Sequence, residues 1–511
     1  MKERPGHTLL PLAGGDAPTF VLYHTCFPLS IAFPVFRGHR APPPRHRVTE
    51  DGRGVATALF RFVTGSAVPL LLFVSGIYFL IRLRGFYLLH PIRTLRRLAG
   101  RGERRDALSA LAVALGGTLG VGNITGVASA LFFGGPGALF WMWVSALLSM
   151  GLHYAEVVLA FDTADPPGLP RYLGGGFRGA LFSLSLLFLS LSLGGGLQSA
   201  AVAEAAQISL SMPAAAAGAL LALPVLLATA GGFGRIRATA SRVIPLVTLL
   251  FSLFCLWVIV AFRHNLPGVF SAIFRGAFSL RAAAGGGIGA LIRRASVGFR
   301  RGLLSNEGGC GTASLPHAAA GTSDPARQGI FGIVEVAVDT LLLCTLSGVT
   351  ILCAGYTGEG VAPLLSAFSS VWGEAARHLL SFSIYLFAFA TSLAYCYYGK
   401  TALSALVGGD GRLFPYLFAL FLFLGGFLPL RLLFFFSDLF LGLLAVLNLS
   451  ALMKRADRIV FLSAPLIGCT EGFTPRAARP TRRPGSSKEA DRRRGKGGRS
   501  RRRTRTPTAP E

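Results

Sequence analysis

The amino-acid sequence predicts an all-α polytopic membrane protein with about eleven transmembrane helices. Three observations carry that reading. Of 511 residues, 52% are hydrophobic and only 14% are charged, and the mean hydropathy is +0.57; a soluble chain of this length needs a more polar surface. Apolar stretches of membrane-spanning length recur along the chain. Two polar, glycine-rich runs interrupt those stretches: Gly116-Gly117-Thr118-Leu119-Gly120-Val121-Gly122-Asn123 and Ser305-Asn306-Glu307-Gly308-Gly309-Cys310-Gly311. Lipid offers no hydrogen-bond partners, so non-helical backbone at membrane depth persists only inside protein or beside a water-filled cavity. A pair of interrupted segments in matching halves is the sequence mark of a transporter's binding site.

The elements follow in order. Residues 1–55 carry one apolar run, 17–36, broken by Pro28 and Pro34 and holding His24. It lacks the basic start, clean apolar core and small-residue cleavage site of a signal peptide. This stretch reads as a disordered extension or as translated sequence upstream of the natural start. Residues 66–83 form a clean first span, followed by Arg82, Arg84, Arg93, Arg96, Arg97, Arg101, Arg104 and Arg105. The positive-inside rule makes that loop cytoplasmic. Ten further segments follow: 108–132 with the first break, 137–161, 180–207, 214–230, 243–262, 287–317 with the second break, 330–354, 378–398, 413–429 and 432–452. Arg171, Arg178, Arg235, Arg237, Arg242, Arg327, Lys400, Arg412, Lys454 and Arg455 then fall inside. Arg275, Arg281, Arg293 and Arg294 fall outside and fit amphipathic segments at the interface. Without the first span, ten segments divide into five plus five, each half opening on a broken helix. An odd number of helices per repeat inverts the second half relative to the first, the plan of many secondary transporters.

The net charge of +27 describes a tail more than a fold, because more than a dozen basic residues crowd the last forty or so positions. Residues 459–511 are rich in Arg, Pro, Gly and Ser and form no core, which predicts disorder. Basic clusters of this kind bind anionic lipid or, without sequence preference, nucleic acid. The run lacks interleaved aromatics, so no specific nucleic acid is expected; a topology anchor or a spurious extension is the simpler reading. The seven cysteines, Cys26, Cys255, Cys310, Cys344, Cys353, Cys396 and Cys469, lack metal-ligand spacing and read as small core residues. No phosphate loop with a Walker lysine is present, which argues against direct ATP coupling.

At the breaks the sequence becomes familiar. GVGNITGVASALFFGGPGALFWMWVSALLSMGLHYAEVVLA (120–160) resembles the alanine or glycine:cation symporter family. So do RGLLSNEGGCGTASLPHAAAGTSDPARQGIFGIVEVAVDTLLLCTLSGVTIL (301–352), LFAFATSLAYCYYGKTALSALVG (386–408) and SDLFLGLLAVLNLSAL (437–452). The resemblance runs in order from about residue 60 to about residue 458, which implies a symporter domain over 56–458. It implies a leucine-transporter-like five-plus-five inverted repeat with one extra N-terminal helix. It also implies uptake of alanine or glycine coupled to sodium, sometimes to protons. The setting is a bacterial inner (plasma) membrane, with many passes and a cytoplasmic C-terminus. There are departures. Val121 stands where the family has Thr, Gly195 and Ala200 where it has Asn, Tyr395 where it has Trp, and His153 where it has Lys. The loop 162–179 is shorter than usual.

The candidate site follows from the breaks. Gly120, Gly122 and Asn123 let the backbone leave helical geometry, and the half-helix starting there aims its positive end at a carboxylate. Thr118 and Val121 line the same stretch. Ser305, Asn306 and Gly308 offer polar groups and freed carbonyls to a small zwitterion. Glu307 either balances charge near sodium or braces the unwound first helix. Gln198 either bonds substrate or bonds a neighbouring helix. Tyr395 stands at the family's Trp position. For sodium, a hard cation suited to neutral oxygens, the candidates are carbonyls at Gly117 and Gly120 with the hydroxyls of Thr391 and Ser392. Hydroxyls that bond back to their own helix are the alternative. Glu156, Glu204, Glu335, Asp339 and Asp438 are further acids within spans; Glu156 and Glu335 suit gating or structural pairs, and Asp438 an N-terminal cap.

The expectation is therefore a secondary transporter with no enzymatic chemistry and no organic cofactor. Its partners are sodium as coupling ion, a small neutral amino acid and the lipid bilayer. The alternatives are a symporter of a different small amino acid, or a transport-inactive membrane protein whose tail recruits anionic lipid or nucleic acid.

Overall fold

The computed structural model describes residue 65 and residues 67–99, 104–162, 171–230, 232–278, 287–318 and 324–467. The expectations for residues 1–55, the basic tail, Cys26, Cys469 and Arg281 lie outside these. Among the described residues every regular element is a helix. The principal ones are α1 (Ala67–Arg82), α2 (Arg104–Thr118), α3 (Val127–Gly134), α4 (Gly137–Asp162), α5 (Phe177–Leu210), α6 (Ala214–Thr229), α7 (Gly232–Ala261) and α8 (Leu266–Phe278). Beyond them lie α9 (Gly287–Asn306), α10 (Ser314–Ala318), α11 (Pro325–Ala354), α12 (Ala362–Trp372), α13 (Glu374–Val407), α14 (Phe414–Gly425) and α15 (Leu430–Lys454).

Six helices, α4, α5, α7, α11, α13 and α15, are long and apolar enough to cross a bilayer, and α2 with α3 makes a seventh, bent span. Helices α1, α6, α12 and α14 are shorter apolar helices. Each apolar segment read from the sequence has its helix, and each glycine-rich run falls at a helix interruption. Leu246, Leu249, Leu253 and Trp257 make an exposed face along α7. An apolar stripe of this kind on a spanning helix is what lipid covers.

Close packing places the two breaks. Helix α9 lies on α4, where a Cβ at Gly298 would stand 2.5 Å from Trp141 Cβ and 2.6 Å from the Ala138 carbonyl oxygen. Small residues of this kind let membrane helices approach without polar glue. Helix α11 packs along α4 as well, and α13 runs between α2, α5 and α7. Arg275 rides on the amphipathic α8, and Arg294 Nη1 donates to the Gly276 carbonyl at 3.2 Å, tying α9 to α8. Asp438 does not cap a helix. It lies well inside α15 and pairs with Arg301 of α9 at 3.0 Å, while the guanidinium covers the Phe434 ring at 4.5 Å. A buried acid in a helix interior needs a cation more than a helix end does.

Candidate functional site

The first break forms where the Gly120 and Val121 amides leave the helical ladder after α2, Leu119 still donating to the Leu115 carbonyl at 2.7 Å. The chain resumes as a widened π-type turn, Gly122–Gly126, and continues into α3; the two halves are bent by 45°. The second break starts at the end of α9. Glu307 takes a left-handed backbone with φ +53°, unusual for a side chain larger than Asn. Gly309 (φ +88°) and Gly311 (φ +84°) prolong the unwound stretch up to α10. Every residue from 116 to 130 and from 301 to 317 is buried, so both breaks are closed off from solvent.

The two breaks meet at Asn123. Its Oδ1 accepts from the Gly120 amide at 3.1 Å, closing the first break on itself. Its Nδ2 lies 3.1 Å from Ser305 Oγ of the second break and 2.6 Å from Asp339 Oδ1 of α11. Asp339 in turn accepts from Ser305 Oγ and from Thr340 Oγ1, each at 2.6 Å. Asn306 Nδ2 donates to Thr340 Oγ1 at 3.1 Å, and its Oδ1 accepts from the Gly308 amide at 2.9 Å. Three widened turns, Gly122–Gly126, Ser190–Leu197 and Ala337–Cys344, border this core. Such turns shift side chains off the regular helical face and recur at functional sites.

The remaining candidates divide by what they touch. The Val121 amide donates to Gln198 Oε1 at 3.2 Å, and Gln198 Nε2 donates to the Leu193 carbonyl at 3.1 Å. Both ends of that amide are therefore engaged in holding the first break to α5. Replacing Gln198 by Leu strands the buried Val121 N–H at a cost of about 1–3 kcal/mol. Transport affinity of Gln198→Leu is expected to fall on the order of tenfold, read from concentration-dependent uptake.

Thr391 Oγ1 donates to the Leu119 carbonyl at 3.3 Å and so faces the first break. A Cβ at Gly120 would stand 2.5 Å from that hydroxyl, which is why glycine belongs there. Ser392 turns the other way, onto the Gly194 carbonyl at 3.0 Å. Adjacent residues on a helix are about 100° apart, so two neighbouring hydroxyls reach different elements. Gly117 packs on the Tyr398 hydroxyl, and Gly122 faces the Leu304 carbonyl of α9. Thr118 is buried, with Oγ1 3.4 Å from Glu335 Oε1 of α11 and 3.4 Å from the Ala114 carbonyl of its own helix.

Tyr395 donates its hydroxyl to Glu307 Oε1, joining α13 to the second break. Glu156 accepts from Asn448 Nδ2 at 2.8 Å, and the same nitrogen donates to the Gly309 carbonyl at 2.9 Å. Glu156 thus supports the second break from behind. Asp339, Thr340 and Asn448 are the residues that sequence reasoning underweights. An acid within an apolar span was the available signal for Asp339; nothing local marks Asn448.

Comparison with known proteins follows the same lines. The profile of the "Sodium:alanine symporter family" matches residues 53–461. The sodium/alanine symporter AgcS of Methanococcus maripaludis is 31% identical over 429 residues, covering 78% of this chain and 94% of that one. A protein described as a probable sodium/glutamine symporter in Bacillus subtilis is 32% identical, covering 76% and 85%. An uncharacterized transporter of Haemophilus influenzae is 33% identical, covering 80% and 94%. Among solved structures, a mutant of the Eremococcus coleocola manganese transporter superposes with a TM-score of 0.52 at 14% identity, covering 72% of this chain and 87% of that one, a likeness of fold alone. The chain belongs to the sodium:alanine symporter family, and it is a multi-pass membrane transporter rather than an enzyme.

Proposed function

We propose that the protein is a sodium-coupled symporter that carries alanine or glycine into the cell. The observation that supports this best is the junction of Asn123 with Ser305 and Asp339, where two interrupted helices share one buried polar core. In this reading the amino acid's carboxylate meets the freed amides that start α3, and its ammonium meets the oxygens around Ser305 and Asp339. The transporting unit spans 56–458, with the ten helices after the first related as an inverted five-plus-five repeat. It resides in the plasma membrane with its C-terminus in the cytoplasm.

Sodium, as cargo, is assigned to the neutral oxygens nearest the first break: carbonyls at Gly117 and Gly120 and the hydroxyl of Thr391, with the neighbouring Ser392 of α13 held on the Gly194 carbonyl of α5 as support. The closed arrangement is then the occluded step of alternating access, and a downhill sodium gradient drives the cycle. The proposal is tested in proteoliposomes with labelled alanine, with and without an inward sodium gradient. Uptake several-fold above the sodium-free level is expected, and competition by glycine but not by bulky amino acids. Equal uptake in both conditions would overturn the coupling. Thr391→Val is expected to raise the half-saturating sodium concentration on the order of tenfold, since one oxygen ligand of about 1–2 kcal/mol is removed.

A further inference from the structure

A second buried polar cluster joins the first break at Thr118, and the transport cycle proposed above makes no use of it. Four helices contribute: Thr118 from α2, His153 from α4, His317 from α10, and Gln328 with Glu335 from α11. Glu335 is 1% exposed, and both histidines and Gln328 are fully buried. His317 Nε2 lies 3.3 Å from Glu335 Oε2, and His153 Nε2 lies 3.8 Å from the same oxygen. Helices α4 and α11 pack closely beside the cluster: a Cβ at Gly332 of α11 would stand 3.3 Å from the His153 carbonyl oxygen.

Two features distinguish this cluster from a fixed ion pair. The first is charge. Among the described residues the ion-pair partners of Glu335 are the two imidazoles. The other titratable groups within its electrostatic reach are Glu156 on α4, Glu307 in the second break, Asp339 on α11 and Tyr398 on α13. None of these supplies positive charge. A buried carboxylate in that company attracts a proton to a neighbouring imidazole.

The second feature is hydrogen-bonding capacity left open for another state. Neither nitrogen of His153 has a hydrogen-bond partner among the described residues, and neither has Gln328 Oε1. Gln328 Nε2 lies 2.7 Å from His317 Nδ1, so the amide donates to a bare ring nitrogen. Turning the same amide over presents Oε1 to a protonated Nδ1. His153 is a small rotation away from donating Nε2–H to Glu335. The cluster therefore has hydrogen-bond partners ready for one proton more than it now requires.

We infer that His153, His317 and Glu335 form a proton-binding site whose occupancy opposes sodium binding at the first break. The sodium half of this inference rests on the function proposed above. The added proton comes from water, settles on an imidazole nitrogen and is held against the Glu335 carboxylate; its release to water reverses the step. Protonation places one more positive charge beside Thr118, the neighbour of Gly117 and two residues from Gly120. Low pH should thus weaken sodium binding and high pH strengthen it. A unit charge about 10 Å away at an effective dielectric of about 20 changes an ion's affinity on the order of tenfold.

The experiment measures half-saturating sodium for alanine uptake by the full-length protein in proteoliposomes between about pH 5.5 and about pH 8.5, the range in which histidine titrates. The wild type is expected to need on the order of tenfold more sodium at the acid end. His153→Lys supplies a permanent cation and should need high sodium at every pH. Glu335→Gln removes the carboxylate that holds the proton and should give a flat profile. A wild-type profile that is flat, or one whose slope survives in both variants, overturns the inference. An independent readout is pH-difference infrared spectroscopy of the purified protein without sodium or amino acid. The wild type should show coupled imidazole and carboxyl bands that both substitutions alter; unchanged bands in both variants refute the proton site itself. Uptake that ignores sodium at every pH counts instead against sodium coupling, and the infrared bands still decide the proton site.

Discussion

Asn123→Ala is expected to lower the sodium-driven alanine uptake proposed for this protein on the order of a hundredfold or more, with the protein still monodisperse on size-exclusion chromatography. Its side chain bonds the first break, the second break and α11 at once, through the Gly120 amide, Ser305 and Asp339. Its removal leaves the Gly120 amide with the Thr118 carbonyl as partner, at 2.9 Å, and unties the first break from Asn123. It also takes one donor from Asp339, a buried carboxylate then held by Ser305 and Thr340 alone. Losing a neutral hydrogen bond and a charge-assisted one amounts to about 3 kcal/mol, which is the hundredfold figure. The isosteric Asn123→Asp separates shape from hydrogen bonding. It fills the same volume but sets a second carboxylate against Asp339, where like charges cannot both ionise. Both variants should therefore be inactive near neutral pH. An Asn123→Ala protein that transports at wild-type rate would show that the two breaks do not cooperate through this amide.

How far the sequence reached is clearest at these same residues. The two glycine-rich runs were legible because polar, flexible residues contradict the apolar segments around them, and backbone physics admits few reasons for that in a bilayer. Their meeting point was not legible in detail. Asn123 and Ser305 are 182 residues apart, and their 3.1 Å contact is set by how α9 settles on α4. Gln198 illustrates a limit of another kind. A lone amide beside three glycines is compatible with substrate or with a helix, and only the positions of the Val121 amide and the Leu193 carbonyl show both its ends engaged. Thr391 and Ser392 are adjacent in sequence, yet helical geometry sends one hydroxyl to α2's end and the other to α5. Asp438 read as a cap because it stands near the start of a span, whereas the partner it needed, Arg301, lies on another helix. Patterns along the chain thus revealed which elements exist and where they break; side-chain roles awaited the pairing of distant elements.

The run Gly194-Gly195-Gly196 turns that distinction into a graded test of packing. Gly194→Ala is expected to be the most damaging single-methyl substitution of the three. Its Cβ would stand 2.2 Å from Tyr395 Cγ and 2.1 Å from Tyr395 Cβ, an atom that moves only if α13 moves. Carbon atoms rest about 3.5–4.0 Å apart, so α5 and α13 would have to separate by well over an ångström. That separation also draws Tyr395 from Glu307 and Ser392 from the Gly194 carbonyl, so packing and the second break fail together. Overpacking of this severity costs about 3 kcal/mol or more. Gly196→Ala meets Leu433 Cδ2 at 2.5 Å, the mobile tip of a side chain, and should be intermediate. Gly195→Ala meets nothing closer than Phe418 at 3.5 Å, ordinary contact, and should be neutral or slightly stabilising through helix propensity. Thermal unfolding followed by fluorescence-detected size exclusion gives the ranking, with alanine uptake measured on the same preparations. Uptake should be lost in Gly194→Ala and retained in Gly195→Ala; equal melting temperatures for the two would mean that α5 and α13 do not touch at Gly194 as they do here.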